Sequence, residues 1–330
     1  MDNIISTGIE IILWFQGLGV WLTPIMKFFT FLGNQEFYLI VAPIILWCID
    51  STLGFRLGLF LMISGLLNTA LKIAFHGPRP YWFSNKINVI GSAENSFGMP
   101  SGHAQNAVVV WGTLAVRIKK AWFWVVAIFV IFMIGISRLY LAVHFPHDVL
   151  LGWIFGIIIL WLLLKLEYPV VKWISKYSPS IQILIAFLFS LLLILIVVIA
   201  QYSLGSWSMP KEWTTYANLA FPDEPAINPL TFHNFLSNAG AFFGLAAGWI
   251  WLSSQGGFST KDDWWKLIVR YIVGLVGVMI LYIGLGTLFP DSETFVAYAL
   301  RYVRYALIGF WMSGFAPWLF VKLKIASRLK

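Results

Sequence analysis

Three short stretches of the chain concentrate side chains that can hold and transform an anion: residues 72–80, 100–103 and 137–148. They carry three permanent cations, Lys72, Arg79 and Arg138, with no run of Asp or Glu beside them. Arginine offers a planar fork that matches two phosphate oxygens, and a lysine in an apolar helix is costly without a partner. The stretches therefore predict a phosphate-like anion site. For each cation alone, the alternative is a side chain that extends to lipid headgroups.

His144 and Asp148 stand four residues apart at the start of a predicted helix, so they share one helix face. The carboxylate can accept one ring N–H, which leaves the lone pair of the other nitrogen free to attack phosphorus. The alternatives are an ordinary ion pair or, because His147 adds a second imidazole, a zinc site. A dinuclear metal phosphatase needs several more carboxylates, whereas this region offers mainly Glu94 and Asp148. We therefore expect a site without metal.

The tetrapeptide Pro100-Ser101-Gly102-His103 opens another predicted helix. A helix N-terminus attracts anions through its backbone N–H groups, Ser101 adds a hydroxyl, and Gly102 permits close backbone approach. His103 can protonate a departing alkoxide because imidazole titrates near neutral pH. Taken alone, the tetrapeptide is equally compatible with Ser101 as a helix cap and His103 as an interfacial residue.

The elements that must position these residues are membrane helices. Of 330 residues, 60% are hydrophobic and 11% charged, against about 25% charged in a soluble domain. The net charge of +8 is dispersed in short clusters rather than in one stripe among exposed aromatics, so we expect no nucleic-acid partner. Cys48 is the only cysteine, which excludes an intramolecular disulfide.

Apolar runs predict nine spans: 35–50, 55–75, 103–117, 121–141, 147–166, 180–201, 234–252, 267–289 and 299–321. Segment 4–31, broken by glycines and a proline, is either a further span or a pair of interfacial helices. The predicted organisation is a six-helix core with its N-terminal interfacial segment over 1–201, an extracytoplasmic loop over 202–233, and about three accessory transmembrane helices over 234–330.

Basic residues predict the orientation. They form four clusters: Arg117, Lys119 and Lys120; Lys165, Lys172 and Lys176; Lys261 and Lys266; and Lys322, Lys324, Arg328 and Lys330. With nine spans, all four clusters fall on one face of the membrane. Because Lys and Arg are retained on the cytoplasmic side, this face is predicted to be cytoplasmic. The three chemical stretches are then predicted to face the extracytoplasmic side of the cell membrane.

In combination, the stretches resemble the signature of the type 2 phosphatidic acid phosphatase superfamily: Lys, six residues, Arg-Pro; Pro-Ser-Gly-His; and Ser-Arg, five residues, His, three residues, Asp. The resemblance implies an all-α integral membrane fold with His144 as nucleophile, His103 as general acid and Asp148 as the residue that orients His144. It also implies a set of phosphate-binding residues: Lys72, Arg79, Ser101, Gly102 and Arg138.

The function this implies is hydrolysis of a lipid phosphate or diphosphate monoester through a phosphohistidine, with no metal or other cofactor and with the bilayer as the surrounding partner. Residues 31–34 and 47–50 resemble the sphingosine-1-phosphate phosphatase branch and bacterial lipid phosphatases, whereas residues 79–82 resemble glucose-6-phosphatase. Three alternatives stay open: a phosphotransferase, a sugar-phosphate phosphatase, and a non-catalytic lipid transporter or scaffold.

Overall fold

The computed structural model describes residues 2–329, which contain helices and no strand. Met1 and Lys330, the last basic residue of the tail, lie outside the described residues. The chain forms two compact units. The first comprises the chain up to Phe37, Leu67–Leu162 and Val197–Thr231; the second comprises Tyr38–Leu66, Leu163–Ile196 and the chain from Phe232 onward.

The α-helices are, in chain order, α1 (Asp2–Gly17), α2 (Thr23–Phe31), α3 (Gln35–Ile44), α4 (Ser51–Phe75), α5 (Pro80–Phe83), α6 (Gly102–Ile118), α7 (Ala121–Tyr140), α8 (Pro146–Ile174), α9 (Pro179–Tyr202), α10 (Lys211–Ala220), α11 (His233–Ser254), α12 (Trp264–Met279), α13 (Leu285–Leu288), α14 (Phe295–Phe310) and α15 (Ala316–Lys322). Three π-helical segments extend them: Ile45–Ile49 after α3, Ile280–Gly284 after α12 and Trp311–Phe315 after α14.

Within residues 2–329 a helix is present at each of the nine predicted positions, so the all-α membrane fold is confirmed. Six described helices are long and apolar enough to cross a membrane by length and composition. Residues 4–17 and 20–31 form two helices bent by 86°, either a broken span or a re-entrant pair. Helix α8 runs to Ile174, past the predicted end at 166, because a helix can continue beyond its apolar run with polar side chains turned outward.

Close packing of α6 against α8 positions the chemistry of the first unit. A Cβ atom at Gly152 would approach the carbonyl oxygen of Ser101 to 2.6 Å, and one at Gly156 would approach that of Gln105 to 2.8 Å. Small residues at these points let the two backbones come together. The N–H of Ser101 then donates to the carbonyl of Asp148 at 2.9 Å, which joins the first turns of α6 and α8.

Segment 202–233, predicted as a loop, contains α10, which begins directly after Pro210, a residue that favours helix starts. Aromatic side chains connect this segment to the region around α5. The ring of Trp207 lies 5.6 Å from that of Phe97, and the ring of Trp213 lies 6.2 Å from that of Trp82. Both Phe97 and Trp82 are fully buried, so the segment covers the loop that carries Arg79.

In the second unit, α11 and α14 also meet through small residues: a Cβ atom at Gly248 would approach the carbonyl oxygen of Phe310 to 2.8 Å. Arg270 of α12 is fully buried and donates to the Asp262 carboxylate and to the Ile325 carbonyl, both at 2.6 Å. This arginine therefore ties α12 to the segment before it and to the C-terminal segment.

Candidate active site

Arg79 is held by the backbone of two loop segments of the first unit. It stands immediately before α5. The N–H of Gly98 donates to the carbonyl of Gly77 at 2.9 Å, so the segment that contains Ser96 runs beside the segment that contains Arg79. The guanidinium is 1% exposed; Nε donates to the Ser96 carbonyl at 2.7 Å and one terminal nitrogen to the Val143 carbonyl at 3.0 Å. The arginine is thus fixed before any ligand arrives.

Lys72 lies in the last turn of α4 and is 8% exposed. Its ammonium donates to the carbonyl of Phe97. The same carbonyl lies 3.4 Å from a terminal nitrogen of Arg79. Two cations from different elements therefore converge on one oxygen atom, which brings a second positive charge to the site.

His144 and Asp148 form a buried pair, 1% and 0% exposed. Nδ1 of His144 lies 3.4 Å from Oδ2 of Asp148, and that oxygen also accepts the N–H of Phe145 at 2.9 Å. Nε2, on the other side of the ring, lies 3.4 Å from a terminal nitrogen of Arg79. The carboxylate thus faces one ring nitrogen while the other faces a guanidinium.

Electrostatics keeps this imidazole neutral. Burial, followed by the charges of Arg79 and Lys72, lowers the pKa of His144 well below its ordinary value. A neutral ring with Nδ1–H directed at Asp148 has its lone pair on Nε2. The arrangement can therefore supply a nitrogen nucleophile at neutral pH.

Ser101 takes the position before the first residue of α6, but its hydroxyl makes no capping hydrogen bond. The residue is fully buried, and within residues 2–329 its side-chain oxygen has no hydrogen-bond partner. Its backbone N–H is occupied by Asp148, so the hydroxyl is the group available to a ligand. Gly102 lies against Asn68, whose Oδ1 would be 2.9 Å from a Cβ atom.

A cavity of about 350 Å³ opens beside these residues. Its polar lining consists of Lys27, Thr30, Asn34, Ser92, Glu94, His103 and Arg138. Nε2 of His103 lies 2.8 Å from Oδ1 of Asn34, and Arg138 donates to the hydroxyl of Thr30. Helix α2 and the residues after it therefore supply partners to both motif residues.

Glu94 connects the arginines. Its Oε1 lies 2.7 Å from Arg138 and its Oε2 lies 3.3 Å from Arg79. Burial disfavours the charged form of this carboxyl, but the charges of Arg79 and Arg138 outweigh that effect and hold its pKa below the usual range. The side chain is therefore an anion that bridges two buried cations.

The structure thus brings together the residues predicted from the sequence. Arg79, His144 and Asp148 are joined by direct contacts, Lys72 shares the Phe97 carbonyl with Arg79, and Ser101 adjoins Asp148. Gly102 opens the helix that carries His103. Arg138 and His103 line the cavity with Glu94.

Sequence reasoning missed Lys27, Thr30 and Asn34 as members of this site. Their signal was available: polar residues at positions i, i+3 and i+7 of an otherwise apolar segment share one helix face. His76 and His147 lie near the site by sequence. The ring of His76 packs 5.2 Å from that of Trp207, and the ring of His147 stacks on that of Phe145.

Comparisons with known proteins were consistent with this geometry. A family model described as "PAP2 superfamily" matches residues 53–172, and one described as "PAP2 superfamily phosphatase, transmembrane extension" matches residues 236–328. Phosphatidylglycerophosphatase B of Bacillus subtilis (strain 168) is 30% identical over 172 residues, covering 47% of this chain and 80% of that protein. The chain belongs to the PAP2 superfamily. The expected family is thereby confirmed.

This PAP2 chain is similar over more of its length to glucose-6-phosphatase 2 of Homo sapiens, at 25% identity over 315 residues and 82% of each chain. It also matches the crystal structure of a transmembrane PAP2 type phosphatidylglycerolphosphate phosphatase from Bacillus subtilis, with a TM-score of 0.44 and 27% identity over 51% of this chain and 88% of that one. The PAP2 transmembrane extension coincides with α11–α15, the helices predicted as accessory.

Among residues 2–329, no group of three or more His, Cys, Asp or Glu side chains is placed to hold a metal ion. The cations at the PAP2 site are side chains, and Lys72, Arg79 and Arg138 are each at most 8% exposed. These side chains can therefore stabilise the negative charge of a phosphoryl group.

Proposed function

We propose that this chain is a membrane phosphatase that hydrolyses a phosphate monoester through a phosphohistidine at His144, without a metal. The observation that carries the proposal is the buried imidazole of His144, which faces Asp148 with one nitrogen and Arg79 with the other. A phosphorus atom in line with Nε2 has the guanidinium of Arg79 beside its oxygens. The cations then stabilise the charge that the transferring group carries in the transition state.

In the first step, the Nε2 lone pair of His144 forms a bond to phosphorus as the bond from phosphorus to the ester oxygen breaks. His103 transfers its proton to that oxygen, so the alcohol leaves neutral. Asp148 stabilises the positive charge that develops on the His144 ring. The Asn34 amide accepts one N–H of His103, which leaves the second N–H of the protonated ring for the departing oxygen.

In the second step, His103, now neutral, accepts a proton from water while the water oxygen bonds to phosphorus. The bond between phosphorus and Nε2 breaks and inorganic phosphate is released. His144 returns to its neutral form and His103 to its protonated form, which closes the cycle. Positioning and electrostatic stabilisation supply most of the rate.

The sequence predicts a lipid phosphate or diphosphate as substrate, since an acyl or prenyl chain can stay in the bilayer while its headgroup reaches the cations. The Bacillus subtilis phosphatidylglycerophosphatase B relative supports this class. The active site is proposed to face the extracytoplasmic side of a cell membrane, on the strength of the basic clusters.

A second substrate class, a phosphate ester of a polar alcohol such as a sugar, is favoured by two observations. The cavity beside His103 presents seven polar or charged side chains where the leaving alcohol would lie. The similarity to glucose-6-phosphatase 2 covers 82% of the chain, whereas that to phosphatidylglycerophosphatase B covers 47%. Of the two classes, these observations favour the polar ester.

A phosphate-release screen on purified protein tests the function and separates the classes. The panel contains a phosphatidate, a polyprenyl diphosphate and hexose phosphates, each assayed with the wild type and with His144→Ala. His76→Ala is the matched control because His76 lies in the same unit outside the pair with Asp148. We expect release by the wild type and the control and near-complete loss in His144→Ala. Activity retained in His144→Ala would support a scaffold with a contaminating phosphatase.

Two additions to the screen test the remaining expectations. Activity should persist with a chelator and fall with vanadate, which can mimic pentacoordinate phosphorus bound to His144; loss with chelator and recovery with zinc contradicts the metal-free site. Labelled donor incubated with a candidate alcohol should yield only free phosphate. Transfer of label to the alcohol would identify a phosphotransferase instead.

A further inference from the structure

The carboxylate of Glu94 lies between the two arginines that the proposed function assigns to the substrate phosphate. It bridges Arg138 at 2.7 Å and Arg79 at 3.3 Å. Arg79 also places its other terminal nitrogen 3.4 Å from Nε2 of His144. A phosphoryl group attacked by that nitrogen therefore places its oxygens beside the same guanidinium that contacts Glu94.

The backbone of Glu94 is fixed while its side chain has room to turn. The backbone N–H of Glu94 donates to the hydroxyl of Tyr81 at 3.0 Å, and that hydroxyl lies 3.3 Å from the carbonyl of Glu94. Tyr81 is 1% exposed, so this anchor is buried. The carboxylate, in contrast, is 26% exposed and lines the cavity of about 350 Å³.

A further cation, Lys27, can pair with the displaced carboxylate. Lys27 lines the same cavity and is exposed at its edge. Phosphate carries nearly two charges at neutral pH and offers three oxygens, whereas a carboxylate carries one charge and two oxygens. A phosphate ester can therefore outcompete Glu94 for the arginines, and a singly charged carboxylate ligand has no such advantage.

We infer that Glu94 is a displaceable internal anion that determines anion affinity and selectivity at this site. It pairs with Arg79 and Arg138 before phosphate binds. A dianionic phosphate displaces it, whereas a singly charged carboxylate does not. Glu94 pairs with the arginines again when product phosphate leaves. The inference rests on the proposed function, because it requires phosphate to bind at these arginines. The alternative is that Glu94 stays in place and only positions the arginines.

Direct binding of inorganic phosphate distinguishes the two roles without turnover. Purified full-length wild type, Glu94→Gln and Glu94→Asp are titrated with labelled phosphate, and Glu224→Gln, an exposed glutamate of the same unit, is the matched control. Glutamine keeps the shape and can still accept from an arginine, but it removes the competing charge. We expect the phosphate Kd of Glu94→Gln to fall about tenfold, the scale of one charge-assisted contact. The Kd of Glu224→Gln should stay unchanged.

Glu94→Asp keeps the charge on a stem that is one carbon shorter, so its bridge is weaker and its Kd should fall by less, in the same direction. It provides the test if Glu94→Gln fails to fold. If the wild type binds phosphate and Glu94→Gln binds it equally or more weakly, the inference is wrong and the proposed function stands. If neither the wild type nor any variant binds phosphate, the proposed function fails and this inference fails with it.

Competition by acetate gives a second readout that a purely positioning role would not produce. Wild-type phosphate binding should be insensitive to acetate, because Glu94 already supplies a tethered carboxylate. In Glu94→Gln, acetate should compete measurably for the emptied position between Arg79 and Arg138. Equal sensitivity of both proteins to acetate contradicts the displacement of Glu94.

Discussion

Replacement of Asp148 by asparagine separates orientation of the nucleophile from binding of the substrate. Oδ2 of Asp148 accepts from Phe145 and faces Nδ1 of His144, and both residues are buried. Asparagine preserves the shape and can still accept from the Phe145 N–H. It removes the negative charge that stabilises the imidazolium and disfavours the tautomer with its lone pair on Nε2.

The expected magnitude follows from the distance. A full charge on His144, 3.4 Å from the carboxylate, is attracted by about 5 kcal/mol at an effective dielectric constant of about 20. If about half of that charge has developed in the transition state, the loss is about 2–3 kcal/mol, or about 100-fold in rate. Loss of the productive tautomer adds to this, so kcat should fall by about 10²–10⁴-fold.

The assay is phosphate release at saturating substrate, with phosphate binding measured in parallel. The matched control is Asp223→Asn, an exposed position in the same unit. We expect Asp148→Asn to bind phosphate within a few-fold of wild type, because Lys72, Arg79 and Arg138 are untouched. A kcat within a few-fold of wild type in a folded Asp148→Asn protein would refute the orienting role.

Two further predictions concern the acid and the nucleophile. Asn34→Ala should lower kcat by about tenfold, because the amide orients His103 at 2.8 Å; Asn218→Ala, at an exposed site, is the control, and a change in KM with kcat unchanged would contradict this role. The acid limb of kcat/KM, corrected for the second ionisation of the substrate phosphate near pH 6, should lie below pH 6.5. Burial and the charge of Arg79 lower the pKa of His144, so the ring stays neutral as the pH falls through 6.5. A corrected midpoint at or above pH 6.5 would show that the nucleophile is not held neutral.

The helices were predictable because apolar runs of membrane length carry their own signal. Each predicted span corresponds to a helix of the described chain. The π-helical segments were not predicted, because a shift in hydrogen bonding within a uniformly apolar run leaves no mark in composition. Ile280–Gly284 lies inside such a run.

The motif residues of the site were predictable because each carries its own chemistry and the spacing is short. His144 and Asp148 face each other as the helical period requires. Ser101 departs from expectation in one respect: its N–H is occupied by the Asp148 carbonyl, so only its hydroxyl is available. Local sequence contains no information about that contact between helices.

The contribution of α2 and Glu94 depended on contacts between distant residues. Asn34 and His103 are 69 residues apart, and Arg138 and Thr30 are 108 apart. Glu94 lies in an irregular segment between α5 and α6, where no periodicity places a side chain. Its pairing with both arginines is visible only once the fold brings Arg79 and Arg138 to the same place.

The central claim is that phosphate passes through a covalent bond to His144. Rapid quenching of the purified enzyme with ³²P-labelled substrate, followed by mapping of the labelled peptide under alkaline conditions, tests it most directly. The account predicts an acid-labile, alkali-stable label on the peptide that contains His144, formed and lost at rates compatible with turnover and absent in His144→Ala. Turnover with no labelled protein at any time, or with label on Ser101 or another residue, would contradict it.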